Sequence, residues 1–294
     1  MTRLLAAAAL ACGLAAVAPA GRAQLPSAPC FAEVSVEPSR AYVGQQVLYR
    51  VRMLRHESVR EVRWLRALSF PSLRAEWLPG RMPDPRITGI GDARLVSEDR
   101  RALFPVRAGV IEIPPASVGC RLADGEELEV PVPGARLEAL PLPEAGRPAG
   151  FAGVVGPVQV RAHLSRRWLE LGETTALAVV VVGEANVWAA EAPLDPAQPG
   201  LDVYPRTPEL LLEPGERLRA RRSFVWTLVP RRTGLIELPP ARVPWFDPTS
   251  GAWVVASAPP LLLEVRPASA TPDGFPPPAP AEPNARAPRR GALL

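Results

Sequence analysis

The chain repeats itself. Residues 101–118 read RALFPVRAGVIEIPPASV, and residues 226–243 read WTLVPRRTGLIELPPARV. Aligned, Pro105 meets Pro230, Arg107 meets Arg232, Gly109 meets Gly234, Pro114-Pro115 meets Pro239-Pro240, and Val118 meets Val243. A weaker echo lies upstream: VSVEPSRAYVGQQVLYRV (34–51) turns at Val-Gly-Gln, and VQVRAHLSRRWLELGETTALAVVVV (158–182) turns at Leu-Gly-Glu. The spacing from Gly44 to Gly109 nearly equals that from Gly172 to Gly234. A chain built this way is a tandem of two similar units of about 110 residues, each the size of one domain.

Within the units the hydrophobic period is that of strands. Ala32–Glu37 alternates apolar and polar residues, and Gln46–Met53 does so again, with Tyr49, Val51 and Met53 on one face. Thr175–Val182 is apolar on both faces, the mark of a central strand. Pro114-Pro115 ends a strand because two prolines remove two ladder donors. Asp124-Gly125 and Asp247-Pro248-Thr249-Ser250-Gly251 read as turns. Gly109 and Gly234 read as positions that need positive φ. The stretch VREVRWLRALSF after residue 58 fits a short helix or a strand. Short strands punctuated by Gly and Pro, with no long amphipathic helix, predict an all-β chain of two tandem immunoglobulin-like β-sandwiches.

The expected organisation is a signal peptide over 1–23, a first sandwich over 30–141, a Pro/Gly linker over 142–156, a second sandwich over 157–266, and a disordered Pro/Ala-rich tail over 267–294. Arg3 followed by the apolar run Leu4–Ala18 and small residues at Gly21 and Ala23 reads as a secretory signal. Its core is short for a membrane span, and no later stretch reaches 18 apolar residues. Export to the periplasm follows, with no transmembrane anchor after cleavage. Cys30 and Cys120 then remain in an oxidising compartment, where an even pair suggests a disulfide; two separate buried thiols are the other reading. Closing so long a loop stabilises by roughly 4–5 kcal/mol in the chain-entropy model.

Chemistry is hard to place. The formal charge is +4, yet the sequence holds no Lys, and its 34 basic residues are arginines scattered among glutamates. That pattern describes solvated strand faces rather than a nucleic-acid footprint. His56 and His163 are isolated and lack metal-ligand spacing. No Gly-x-Ser-x-Gly or Cys-x-x-Cys occurs, so no catalytic, cofactor-binding or metal-binding residue is assigned, and the chain reads as a non-enzyme. The candidate partner-binding surface is Trp245, Phe246, Asp247 and Trp253, where aromatic residues flank one turn. For the two tryptophans the alternatives are core packing and an exposed anchor for a partner or glycan.

The ordered phrases VEPSRAYVGQQVLYRV (36–51), FPVRAGVIEIPP (104–115), FAGVVGPVQV (151–160), LELGETTALAVVVVGEANV (169–187), LVPRRTGLIELPP (228–240) and WFDPTSGAW (245–253) resemble the BatD family, the exported oxygen-tolerance proteins of the Bacteroides aerotolerance cluster. The resemblance implies a periplasmic, β-rich, non-enzymatic accessory protein. Its implied partners are membrane-bound von Willebrand A proteins and a MoxR-associated complex. Members of that family usually continue into a C-terminal transmembrane helix, whereas this sequence ends in a Pro-rich tail. The competing expectation is a carbohydrate- or peptide-binding module that uses the Trp245 and Trp253 end.

Overall fold

The computed structural model describes residues 28–80 and 94–269. The signal-peptide reading of 1–23 and most of the tail lie outside the described residues.

In the first unit, one layer is a sheet ordered β1 (Cys30–Glu37), β3 (Val47–His56), β6 (Arg94–Pro105) and β5 (Leu73–Leu78). The facing layer has two parts. One is β4 (Val59–Arg66), β8 (Ala116–Leu122) and β9 (Glu127–Val132); the other is β2 (Arg40–Tyr42), β10 (Ala135–Leu140) and β7 (Gly109–Ile113). Alternate residues of β3, among them Val47, Tyr49 and Val51, meet Val118, Cys120, Val132 and Leu137 in one core. A disulfide joins Cys30 on β1 to Cys120 on β8, with Cα atoms 6.7 Å apart, so it staples one layer to the other.

The second unit repeats the plan. One sheet is ordered β11 (Val158–Leu164), β13 (Thr175–Gly183), β16 (Leu218–Pro230) and β14 (Leu201–Pro205), with β15 (Glu209–Pro214) pairing the other half of β16. Facing it are β12 (Trp168–Glu170), β20 (Leu261–Arg266) and β17 (Gly234–Leu238), together with the hairpin of β18 (Ala241–Asp247) and β19 (Ala252–Ala258). In both units a short strand near the start runs parallel to the last strand, β2 with β10 and β12 with β20; among the described residues every other strand pairing is antiparallel. The chain is all-β and made of two immunoglobulin-like sandwiches.

The repeated phrase holds the same place in each unit. Pro105 and Pro230 end the long central strands β6 and β16, and Pro114-Pro115 and Pro239-Pro240 separate β7 from β8 and β17 from β18. Gly109 and Gly234 open β7 and β17 at φ +119° and +117°, a conformation a side chain strains. Thr175–Val182 falls in β13, which is central between β11 and β16, although Ala176, Ala178 and Val180 on its second face are only half-buried. The ambiguous stretch after residue 58 is β4, a strand. Its ladder to β8 slips at Val59/Glu61 and at Trp64/Arg66, and those bulges break the period-2 signal.

Candidate functional site

The predicted partner surface folds largely inward. Phe246 is fully buried, and its ring meets Tyr42 edge-on at 4.7 Å and Trp253 at 5.0 Å. Phe246 therefore offers no contact surface, a correction to its place in the candidate partner-binding surface. Its backbone is also occupied: its N–H donates to Val154 O (3.0 Å), and its carbonyl accepts from Gly156 N–H (3.0 Å). Trp253 is half-buried. Its indole N–H donates to Ala145 O (3.0 Å), and its ring meets Phe151 at 4.7 Å. Trp245 is half-buried against the second core. Asp247 closes its turn by accepting from Thr249 N–H (2.9 Å) and from the Ser250 hydroxyl (2.7 Å), which hold its carboxyl below its usual range. The stretch expected as a linker thus lies fastened along the second sandwich, with Phe151 and Val155 as its apolar anchors.

What sequence reasoning missed is the seam between the sandwiches. Gln46, 3% exposed, donates from Nε2 to Leu218 O and accepts at Oε1 from Leu218 N–H, both at 2.8 Å. One carboxamide here imitates a rung of sheet. Arg100, also buried, donates to the backbone carbonyls of Glu216 and Pro79. Around these, Leu78, Ala102 and Phe104 of the first unit pack with Leu218 of the second. Trp188 caps the patch, edge-on to Phe104 at 4.7 Å with the Arg74 guanidinium 4.0 Å above its ring. At the other end of the seam, Asn186 accepts from Val155 N–H (2.6 Å) and donates to Gly153 O (2.9 Å). No single residue in this set has a sequence signature. Gln46 in an alternating strand resembles any polar strand residue, and its partner lies 172 residues away.

Several exposed apolar residues lie on sheet margins, others, such as Leu262 on β20, on a paired strand. Among the described residues, strands β5, β14 and β15 each have one unpaired edge. They carry Trp77 (58% exposed), Tyr204 (54%) and the neighbouring Leu210 and Leu211 (43% and 53%). His163 is exposed on β11, and His56 ends β3, where its Nδ1 lies 3.0 Å from the Ser58 hydroxyl. Among the described residues no group of three metal-ligating side chains occurs, and no helix is long and apolar enough to cross a membrane.

No family model matches the chain, and a search of curated proteins returns no match. Among solved structures, the D00-D0 domain of intimin matches with 9% identity and a TM-score of 0.20, covering 80% of this chain and 98% of that one. The type II cohesin dyad from the adaptor ScaA scaffoldin of Acetivibrio cellulolyticus gives 9% and 0.22, over 70% and 86% of the two chains. The Yersinia pseudotuberculosis adhesin InvE gives 9% and 0.22, over 79% and 58%. Scores this low transfer no site and no partner. The class is defined by the chain's own strand pairing: a two-domain β-sandwich protein.

Proposed function

We propose that this chain is an exported, non-catalytic docking module of the BatD type, which binds membrane-bound von Willebrand A proteins and a MoxR-linked system. The observation that carries the docking reading is the edge of β15, unpaired among the described residues, with Leu210 and Leu211 exposed along it. An unpaired edge offers backbone donors and acceptors to an incoming strand, and exposed leucines add apolar area. The seam supports the same reading, because two sandwiches held at a fixed angle present a preformed surface and lose little freedom on binding. The BatD assignment and the periplasmic location rest on the phrases quoted above.

The test is a crosslinking pull-down from periplasm and membrane with tagged protein beginning at Gln24. The expected result is recovery of a von Willebrand A protein or the MoxR-linked system, with recovery reduced by Leu211→Lys, which places a charge on the edge. Recovery of neither, or equal recovery by the Leu211→Lys protein, overturns the reading. The alternative, a carbohydrate or peptide platform at Trp245 and Trp253, has less to stand on, since Phe246 is buried between them and Trp253 spends its N–H on Ala145.

A further inference from the structure

The outer face of the sheet formed by β12, β20 and β17 is apolar where its counterpart in the first sandwich is charged. Strand register makes Arg40, Arg136, Glu138, Val110 and Glu112 the equivalents of Trp168, Leu262, Glu264, Leu235 and Glu237. In the first unit Arg40 pairs with Glu138 at 3.4 Å and Arg136 with Glu112 at 3.8 Å, so that face is suited to water. In the second unit both arginines have become apolar. Trp168 and Leu235 flank Glu264 in one row, and Leu262 lies beside Glu237 in the next. The three apolar side chains are 52%, 69% and 57% exposed. Glu264 is held by Arg266 at 2.8 Å, and the Arg266 guanidinium lies 4.8 Å above the Trp168 ring. Among the described residues, Glu237 has lost the ion pair that Glu112 keeps, and the Trp168 indole N–H has no acceptor.

The size of the patch selects its occupant. A fully buried large aromatic accounts for about 150–250 Å², so three half-exposed side chains fall short of the roughly 800 Å² per partner of a stable interface between separate proteins. A segment tethered beside the patch needs far less, because its effective concentration is in the millimolar range. Residues 270–294 are tethered there. Ser269 donates its N–H and hydroxyl to Glu170, two residues on from Trp168 in β12. Residues 1–27 and 81–93 join the described chain in the first sandwich instead. Crossing from Glu170 to Leu235 takes about 12 Å, two strand spacings and two residues of rise, which about four extended residues span. Phe275, six residues past Ser269, therefore reaches all three side chains. It stands in Gly274-Phe275-Pro276-Pro277-Pro278. Prolines offer carbonyls without N–H groups, and an indole offers a donor alone. The protein already uses this match after β10, the last strand of the first sandwich. There Phe151, preceded by Gly150, meets Trp253 edge-on at 4.7 Å, and the Trp253 N–H donates to Ala145 O. Arg286, Arg289 and Arg290, further along residues 270–294, supply cations of the kind Glu237 lacks.

We propose that this face is the docking site for the chain's own residues 270–294: Phe275 and Pro276-Pro277-Pro278 pack over Trp168, Leu235 and Leu262, and the Trp168 indole N–H donates to a backbone carbonyl of that segment. The contact is internal and does not rest on the docking reading above.

The experiment uses the full mature chain with 15N-labelled tryptophan and a nitroxide on Ala279→Cys, the one free thiol, since Cys30 and Cys120 are bonded. The indole signals of Trp168, Trp64 and Trp77 are assigned by the single Trp→Phe variants. The expected result is that Trp168 loses about half or more of its indole intensity, as a millimolar contact at millimolar effective concentration gives. Trp64 and Trp77, exposed on the first sandwich, should keep theirs. Phe275→Ala and Leu262→Arg should each restore the Trp168 signal, the second by rebuilding the arrangement of Arg136 and Glu112. If Leu262→Arg does not fold, Phe275→Ala decides alone, because it alters none of the strands. Trp168 broadened no more than Trp64 and Trp77, or broadening that survives these substitutions, overturns the proposal. A mixture of 15N chains without nitroxide and nitroxide chains without 15N should leave Trp168 sharp. Broadening in that mixture assigns the face to a second copy and also overturns it. No partner is present in these samples, so their failure is separable from failure of the von Willebrand A capture.

Discussion

Two turns that the sequence makes equivalent end in opposite surroundings. Gly44, at φ +83°, follows β2, and Gly172, at φ +100°, follows β12. A Cβ on Gly44 would lie 2.9 Å from Asn186 Nδ2 and 3.2 Å from Val155 Cγ2, whereas a Cβ on Gly172 would meet nothing within 4 Å. The position two residues before each glycine makes the difference. Tyr42 drives its ring against Phe246 of the other sandwich. Glu170 instead accepts from the N–H and hydroxyl of Ser269, at 2.9 and 2.6 Å, a few residues past β20 of its own unit. The same backbone device serves as an interface in one unit and as a self-contained polar turn in the other. Tandem repeats share a fold, and single side chains decide which copy of a surface is buried.

The largest expected effect tests whether the two units melt together. Cys30→Ala with Cys120→Ala removes the staple from the first unit alone, at a cost of roughly 4–5 kcal/mol in the chain-entropy model. With the seam intact, urea unfolding followed by tryptophan fluorescence should stay a single transition at a lower midpoint. Two separated transitions would show that the sandwiches are independent and that the seam couples nothing. Next in size is Phe246→Ala, which empties a fully buried site touching both units and should cost about 3–5 kcal/mol. It should lower the same single transition. A loss confined to signals of the second unit would reduce the Tyr42 contact to incidental packing.

How much of this was legible follows from what a sequence can carry. The repeat, the strand-ending prolines and the positive-φ glycines are local devices, so they were readable from spacing alone. The β-sandwich architecture follows from them. The aromatic cluster at 245–253 was visible as composition, but its orientation was not. Whether Phe246 points outward depends on residues 42 and 151, which only the assembled fold brings near. Gln46 and Leu218 illustrate the limit further, since their value lies in a pairing with no local trace.

The glycine comparison can be broken directly. Gly44→Ala and Gly172→Ala both incur backbone strain of about 1–2 kcal/mol. Only the first also forces Asn186 and Val155 to move, so it should cost more by about 1 kcal/mol or greater. Gly109→Ala and Gly234→Ala serve as the control. Both sit near φ +118° with nothing within 4 Å of the added Cβ, so their losses in chemical denaturation should agree to within about 0.5 kcal/mol. Equal losses for Gly44 and Gly172 would mean that the seam yields freely at that point.

The smallest effect concerns the turn that stayed open. The Ser269 hydroxyl and N–H stabilise the ionised Glu170 carboxylate and hold its titration below the ordinary glutamate range. A lowered folded-state value means that the contribution is present above the unfolded value, near pH 4.5, and is lost as pH falls through the lower folded value. Ser269→Ala removes the hydroxyl donor but keeps the N–H. The Glu170 carboxyl resonance in an NMR titration should then move part of the way back up, while the Asp247 titration, fixed by its own turn, stays where it was. An unmoved Glu170 midpoint would mean that Ser269 does not close this turn in solution. The Gly172 face would then be open to a partner in a way the Gly44 face, held by Tyr42, is not.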